Sequence, residues 1–228
     1  MRAVQRQSIE NYWTATTAYE GLTRYITMNF EGLRDSVIEL LAGGDVRVDV
    51  GRFSNDIHEI KSRDAVLLQG RPSMQPGMFK QVNNRAGDTV FVDAQLVQGT
   101  MAKGFQRYEA LQDPVARAIF MMFMISEVHP FNDGNGRMAR IMMNAELVHA
   151  DQCRIIVPTV FRLDYLLTLR KLSRQKNPEA YIQVMQKLHA FSQNLYGSDY
   201  DALNKYLLSC NAYEEPENAR LIVADRNE

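Results

Sequence analysis

The sequence predicts a mostly α-helical fold that carries one small β-hairpin. Apolar residues recur at helix spacing along most of the 228 residues, a pattern typical of helices that pack on a core. Two stretches interrupt it: a segment punctuated by Pro and Gly at residues 71–92, and a polar, Gly-rich loop after Val128. Because 46% of the residues are hydrophobic, the chain has enough apolar surface to build a core.

The composition argues against several functional classes. Lys and Arg total 26 and Asp and Glu total 27, so the chain lacks the basic excess of a dedicated nucleic-acid-binding protein. The longest apolar run, residues 118–125, is far shorter than the roughly 20 residues that span a bilayer. Cys153 and Cys210 can form at most one bridge, and the N-terminus lacks an apolar signal stretch. We therefore expect a cytoplasmic protein with no nucleic-acid partner and no membrane segment.

The N-terminal segment, residues 1–45, is predicted to be helical. Its apolar residues recur at helix spacing, and Gly43-Gly44 ends the pattern. Residues 46–50 alternate in polarity as a short strand or an extended loop would, and residues 54–70 show a second, weaker helical pattern.

A β-hairpin is predicted in the next part of the chain. Two short apolar runs, residues 78–82 and 89–92, flank a turn-like stretch rich in Asn, Gly and Asp at residues 83–88. Because an isolated hairpin is marginally stable, we expect this one to rest on another part of the protein.

The chain from residue 93 onward is predicted to be helical. Asp113-Pro114 combines a capping residue with Pro at the first helical position, and the following residues to Val128 are apolar almost all round. Such a helix is usually buried at the centre of a fold. His129-Pro130 breaks it, and further helices are predicted at about 136–150, 160–175 and 178–196. The polar tail from residue 211 is expected to be loosely held.

The loop between the central helix and the next helix has the features of an anion site. Gly134, Asn135 and Gly136 tolerate backbone angles that turn successive N–H groups in one direction. Such a nest at the positive end of a helix binds anions, above all phosphates. Arg137 and Arg140 are three residues apart and share one helix face, so two guanidiniums beside the nest suit a polyphosphate.

Two further residues of this loop suggest chemistry. Asp133 would repel phosphates placed on the nest, so a bridging Mg²⁺ is the natural resolution. His129, at the start of the loop, could take a proton from an attacking hydroxyl. Each fragment alone is more often structural, as a tight turn, a helix cap or a solvated face. Their combination within twelve residues, directly after an apolar helix, favours a functional site.

The segment from His129 to Arg140 reads HPFNDGNGRMAR. It resembles the signature of Fic-domain proteins, His-x-Phe-x-(Asp/Glu)-Gly-Asn-Gly-Arg-x-x-Arg, and every fixed position is present. The resemblance implies a Fic-type helical bundle with a β-hairpin flap. It also implies transfer of AMP from ATP, with Mg²⁺, to a hydroxyl side chain of a protein substrate.

The resemblance also implies a role for each fixed position. His129 would be the general base on a target Ser, Thr or Tyr, Phe131 would anchor the loop in the core, and Asp133 would hold Mg²⁺ between the α- and β-phosphates. The anion hole would be formed by Gly134, Asn135 and Gly136. The phosphate oxygens would be bound by Arg137, and the γ-phosphate would be positioned by Arg140.

The same resemblance predicts a division of the chain into three parts. Residues 46–196 would be the Fic catalytic core, with a flap at about 76–92 that aligns the target segment by strand-like pairing. Residues 1–45 would be an N-terminal helical segment, and residues 197–228 a C-terminal extension. Lys80 stands where many members have Arg, so it receives no role.

An N-terminal inhibitory helix is also predicted. Many Fic proteins carry the pattern (Ser/Thr)-x-x-x-Glu-(Gly/Asn), whose Glu competes with phosphate for the second motif arginine. The chain matches this loose pattern twice, with Glu20 and with Glu31. We expect Glu20 to pair with Arg140 and the match at Glu31 to be accidental; the alternative for Glu20 is a surface helix carboxylate.

Other functions stay open at this point. Fic-fold relatives transfer UMP, phosphocholine or phosphate, although the phosphate-transferring subgroup departs from the signature at the second Gly, which is Gly136 here. A non-enzymatic nucleotide-binding module would not need both His129 and Asp133. Neither self-modification nor a homo-oligomer is decided by the sequence.

Overall fold

The computed structural model describes residues 57–175 and 178–223. These residues fall into two compact units that divide after Ala150. The predicted N-terminal helical segment, with Glu20 and Glu31, and the predicted strand at 46–50 lie outside the described residues. The predicted catalytic core, 46–196, spans both units.

The first unit, as described from residue 57 to residue 150, contains four α-helices and one hairpin. Short 3₁₀ turns at Pro72–Met74 and Ala94–Leu96 flank the hairpin. In chain order, the main elements are α1 (Ile57–Leu67), β1 (Arg85–Ala86), β2 (Thr89–Val90), α2 (Val97–Glu109), α3 (Pro114–Val128) and α4 (Asn135–His149).

Helix α3 is the central element of this unit, as the sequence predicts. Its capping residue is Asp113, whose side chain accepts a hydrogen bond from the Ala116 N–H at 2.7 Å. α3 packs against α2 and α4, and α1 packs against α4. The three helices α2, α3 and α4 also meet at Glu146, which accepts hydrogen bonds from the Tyr108 hydroxyl and, at 3.1 Å, from Arg117 Nε. This buried carboxylate therefore links all three.

A glycine sets the spacing between α2 and α3. A Cβ atom at Gly104 would lie 2.1 Å from the Met124 sulfur. The absence of a side chain at this position therefore lets the two helices approach closely. Gly99, in the same helix, faces open space instead.

Helix α1 carries a buried carboxylate that fixes the chain after it. Asp64 is fully buried, and its Oδ2 accepts a hydrogen bond from the Gly77 N–H at 2.9 Å. Gly77 has φ +76°, and a Cβ there would lie 3.1 Å from Ala65 Cβ, so glycine is required on both counts. Burial raises the pKa of Asp64 to about 6, although the nearby Arg137 charge opposes the rise.

The hairpin is shorter than predicted, and its first predicted strand, residues 78–82, is not part of it. Arg85 pairs with Val90 and Ala86 with Thr89, in antiparallel register. The turn lies at Gly87, which has φ +57°. Residues 78–82 differ because their partner is elsewhere: the Lys80 N–H donates to the Pro130 carbonyl at 2.8 Å.

The second unit, as described at residues 151–175 and 178–223, is helical. It contains α5 (Arg162–Gln175), α6 (Glu179–Gln193) and α7 (Tyr200–Ser209), and α5 packs against α6. Cys153 and Cys210 are both free thiols. Ala212 and Leu221 are buried, so the expectation of a loosely held tail is wrong for the described part of it, because these apolar side chains pack.

The described residues confirm the predicted fold class. Their structure is mostly helical, and strands occur in it only as the two short arms of the hairpin. Within residues 57–175 and 178–223, no helix is both long and apolar enough to cross a membrane.

A pair of substitutions in α2 tests the close approach of α2 to α3. Gly104→Ala should give a free energy of unfolding about 1–3 kcal/mol lower than Gly99→Ala does, because both changes improve helix propensity but only the methyl at residue 104 overlaps the Met124 side chain and forces it to move. Gly99→Ala is the matched control and should raise the free energy of unfolding by about 0.5–1 kcal/mol, because the methyl meets no atom and improves helix propensity. Urea unfolding of both variants measures this. Equal effects at the two positions would contradict the close approach.

The buried carboxylate of Asp64 predicts a pH-dependent stability. Its folded-state pKa of about 6 lies above the usual 3.8, so the unfolded chain loses this proton first as pH rises. Ionisation therefore destabilises the folded state, and Asp64→Asn should gain stability relative to wild type between about pH 4 and pH 7. The gain should approach about 3 kcal/mol, from 1.36 kcal/mol per pKa unit.

The exposed Asp88 in the hairpin turn supplies a control for this measurement. Asp88→Asn should change the free energy of unfolding by less than Asp64→Asn does in the same series, because a substitution at an exposed side chain usually costs little. A difference between Asp64→Asn and wild type that does not change with pH would contradict the raised pKa.

Candidate active site

The site begins where α3 ends. His129 adopts the left-handed conformation, with φ 51° and ψ 57°, and its N–H donates to the Ile125 carbonyl at 3.0 Å. Pro130 follows and cannot continue the helix. The helix therefore ends at His129, and the His129 ring lies at the start of the loop.

A buried amide closes the loop. Asn135 accepts from the Phe131 N–H through Oδ1 and donates to the Phe131 carbonyl through Nδ2, both at 2.8 Å. Both side chains are buried, and the Phe131 ring packs against Phe79 with 5.5 Å between ring centroids. Phe131 thus lies in the core. The side chain of Asn135 shapes the loop, so only its backbone could contribute to an anion hole.

Helix α4 starts directly after Gly134. This glycine has φ +76°, which strains any other residue, and a Cβ there would lie 3.3 Å from Leu68 Cδ2 and push that side chain aside. The Met138 N–H donates to the Gly134 carbonyl at 2.8 Å and closes the first turn. Gly136, in that turn, is exposed. The positive end of α4 is therefore open at this point and can attract an anion.

Both motif arginines lie on this turn. The Arg137 side chain is only 4% exposed, and its Nη2 donates to Asp133 Oδ2 at 3.3 Å. Arg140 is half-buried, with Nη1 3.6 Å from the position that a Cβ at Gly136 would occupy. Burial lowers the pKa of the Arg137 guanidinium, and the Asp133 charge opposes that change. The structure thus brings both cations to the helix N-terminus, where they can bind phosphate oxygens.

Asp133 is a carboxylate beside this turn that could hold a metal. Its side chain is 34% exposed, and Oδ2 pairs with Arg137 and with the Arg71 guanidinium. The described residues contain no cluster of three or more potential metal ligands. A single accessible carboxylate does not make an all-protein cage, but it fits Mg²⁺, which commonly takes one or two carboxylates and completes its shell with phosphates and water.

The His129 ring is held on two sides. Phe91 stacks on it with 3.7 Å between ring centroids and 6° between planes. Its Nδ1 lies 3.3 Å from the Ser126 carbonyl, an oxygen that can only accept, so Nδ1 is the donor and Nε2 keeps its lone pair. Burial, chiefly, and the Lys80 charge lower the pKa of His129. The imidazole is therefore neutral near neutral pH and able to accept a proton.

Two residues before the hairpin tie it to the loop. Lys80 is buried, and its Nζ donates to Asn84 Oδ1 at 2.6 Å and to the Val128 carbonyl at 3.3 Å. Asn84 Nδ2 donates to the carbonyls of Phe131, at 3.1 Å, and His129, at 3.4 Å. The predicted support for the hairpin is therefore the signature loop itself.

Sequence reasoning missed three contributors to this site. Lys80 had no assigned role, and Asn84 appeared only as part of a turn. Arg71, which pairs with Asp133, follows α1 and has no motif around it. The signal that could have found Lys80 is its place inside a short apolar run, since a lysine there must satisfy its charge.

Comparison with known proteins identifies the domain. The chain matches the model of the Fic/DOC family over residues 54–147. The chain carries a Fic domain. The matched range includes the hairpin, the whole signature loop and most of α4, so the candidate site described above lies within the matched range.

Relatives in sequence agree with this assignment. A Fido domain-containing protein of Dictyostelium discoideum is 33% identical over 76 residues, which are 31% of this chain and 53% of that protein. Protein adenylyltransferase fic-1 of Caenorhabditis elegans is 37% identical over 57 residues, which are 25% of this chain and 11% of that protein. The alignments thus span about half or less of the length of these relatives.

Solved structures confirm the Fic-type helical fold. A Fic family protein from Desulfovibrio desulfuricans superposes with a TM-score of 0.58 at 18% identity, over 91% of this chain and 66% of that one. Fic-1 from C. elegans superposes with a TM-score of 0.55 at 17% identity, over 79% of this chain and 50% of that one. At such identities the likeness concerns the fold alone.

The stacked pair of Phe91 and His129 predicts a change in the titration of the Fic-domain histidine. Phe91→Ala should raise the pKa of His129 toward its usual 6.5, because burial is the main cause of the depressed value. NMR titration of the ring protons measures this, with the exposed His58 ring as an internal reference. An unchanged His129 titration would mean that Phe91 does not shield the ring.

Proposed function

We propose that this chain transfers AMP from ATP to a Ser, Thr or Tyr hydroxyl of a protein. The observation that carries the proposal is the juxtaposition of a neutral imidazole, His129, with two arginines at an open helix N-terminus. Relatives in Caenorhabditis and Drosophila are named protein adenylyltransferases, which supports the same activity here.

The nucleotide would bind through its phosphates. The N-terminal turn of α4 attracts the negative charge, and Arg137 and Arg140 supply forked donors for several phosphate oxygens. Asp133 would hold Mg²⁺, which offsets phosphate charge when bound and favours departure of pyrophosphate. Asn135 keeps the turn in place through its two hydrogen bonds to Phe131.

His129 would act as the general base. Its Nε2 accepts the proton of the target hydroxyl, and the hydroxyl oxygen forms a bond to the α-phosphorus. The bond from the α-phosphorus to the bridging oxygen breaks, and pyrophosphate leaves. Nδ1 holds the ring in the required tautomer by donating to the Ser126 carbonyl. Phe91 fixes the plane of the ring by stacking.

The protein substrate would dock on the hairpin. Its strands pair only with each other among the described residues, so an outer edge can pair with an extended segment of the target. Val82 and Val90 are 75% and 72% exposed and offer apolar contact on either side of the turn. Lys80 and Asn84 bind the hairpin to the carbonyls around His129, so a segment held there lies near the base.

Inhibition by Glu20 is part of the proposal and rests on the sequence pattern alone. Its carboxylate would occupy the Arg140 guanidinium and so prevent correct placement of the γ-phosphate.

Mass spectrometry of the protein incubated with ATP and Mg²⁺ tests these assignments. Glu20→Gly should gain AMP by self-modification, wild type should gain little, and Glu20→Gly combined with His129→Ala should gain roughly 100-fold less or none. The His129→Ala protein should still bind ATP, since the imidazole does not hold phosphate. Glu31→Gly is the matched control and should behave as wild type.

The same experiment has outcomes that contradict the proposal. Unchanged AMP incorporation after His129→Ala would show that His129 is not the general base. Gain of phosphate in place of AMP would assign phosphate transfer. Incorporation only with UTP or a CDP-linked donor would assign a different donor to the same site, and equal activity of Glu20→Gly and wild type would remove the inhibitory glutamate.

A further inference from the structure

Arg71 contacts Asp133 of the signature loop, although the two residues are 62 positions apart in the sequence. Arg71 follows α1, and its N–H donates to the Leu68 carbonyl at 2.8 Å. Its guanidinium pairs with Asp133 Oδ2, the same oxygen that accepts from Arg137. One carboxylate oxygen therefore has two arginine partners.

A second contact fixes the backbone that carries Arg71. Asn132 Nδ2 donates to the Met74 carbonyl at 3.2 Å and to Gln75 Oε1 at 3.1 Å. Pro72–Met74 forms one 3₁₀ turn, and Gln75 is left-handed with φ 56°. Residues 71–75 are thus joined to the loop at Asp133 and at Asn132, which keeps the Arg71 side chain within reach of the α4 N-terminus.

The two partners of Asp133 differ in their freedom to move. The Arg137 side chain is 4% exposed and is held by its surroundings, whereas the Arg71 side chain is 54% exposed. An exposed arginine can change rotamer without opening a cavity. If one partner leaves Asp133, it is Arg71.

Three arginines lie around the loop. Besides burial, the charges of Arg71 and Arg140 both lower the pKa of Arg137, so each of the two guanidiniums is close enough to Arg137 to repel it. Asp133 and the buried Asp64 oppose them. Burial raises the pKa of Asp64 to about 6, so this carboxyl is mostly ionised at neutral pH, and Asp133 is the carboxylate that Arg71 and Arg137 contact directly. A polyphosphate would bring further negative charge to these arginines.

We propose that Arg71 is a third phosphate-binding arginine, which rests on Asp133 until a divalent cation takes that carboxylate and then binds the terminal phosphates of the nucleotide. A cation at Asp133 would repel the guanidinium, and the phosphates offer it a new anionic partner. The inference rests on the proposed nucleotide site, but it does not depend on which group is transferred.

Two binding measurements test the role of Arg71, both in the Glu20→Gly background so that the proposed inhibition does not interfere. In calorimetry with ATP and Mg²⁺, Arg71→Ala should lower affinity roughly tenfold, equivalent to one good charged hydrogen bond. AMP, which lacks the terminal phosphates, should bind both proteins equally. Arg71→Lys should restore part of the ATP affinity, and Arg107→Ala, an exposed arginine on α2, is the matched control and should bind ATP normally.

The second measurement separates binding from structure. Free Mn²⁺, followed by electron paramagnetic resonance without nucleotide, should bind Arg71→Ala at least as tightly as the parent protein, because a competing cation has left Asp133. A merely structural role for Arg71 would weaken Mn²⁺ binding and ATP binding together.

Several outcomes would overturn the inference. Equal ATP affinity with and without Arg71 would show that Arg71 does not bind phosphate. A parallel loss of affinity for AMP and ATP, or weaker Mn²⁺ binding, would show that its role is structural. Failure of the proposed AMP transfer looks different: ATP binds and depends on Arg71, but no AMP appears on protein. ATP that binds no variant at all would overturn both proposals.

Discussion

The two hydrogen bonds between the Asn135 amide and the backbone of Phe131 are the interaction on which the site depends. They close the short loop between α3 and α4 in a buried place where an unmade hydrogen bond is costly. With the loop closed, α3 can end at His129 and α4 can begin after Gly134. The Asn135 side chain therefore places the His129 imidazole, the Asp133 carboxylate and the N-terminus of α4 relative to one another. That side chain does this through hydrogen bonds alone and takes no part in the proposed reaction.

The hairpin is positioned by the same loop. Lys80 and Asn84 donate to backbone carbonyls of residues 128, 129 and 131, and Phe91 lies flat on the imidazole. A two-residue ladder is too short to be stable by itself. The hairpin, proposed to hold the target, is therefore joined by several contacts to the loop that carries the proposed base. A movement of one would disturb the position of the other.

Local patterns in the sequence predicted the helices and the loop well. Asp113-Pro114 marked the start of α3, and the residues from His129 to Arg140 contained the imidazole, the carboxylate and the two arginines that the structure brings together. The misses are long-range. Residues 78–82 have the apolar pattern of a strand, but such a pattern does not say which segment the backbone will pair with. Here the backbone of Lys80 bonds to Pro130 in the signature loop and not to the second arm of the hairpin. Arg71 and Lys80 meet their partners 62 and 48 residues away, a proximity that depends on tertiary packing such as that of α1 against α4. Glu20 lies outside the described residues and keeps the status of a sequence prediction.

The residues that anchor the hairpin to the loop are different from the residues that the hairpin exposes on its outer surface. Lys80 and Asn84 reach main-chain oxygens, which every amino acid provides, while the exposed Val82 and Val90 face outward and hold nothing inside the domain. Substitutions at the outward positions leave the anchoring bonds intact. If the hairpin holds the target as proposed, the residues that meet the target can change without loss of the bonds that place the hairpin at His129, and one scaffold could be redirected to new proteins by changing a few surface side chains.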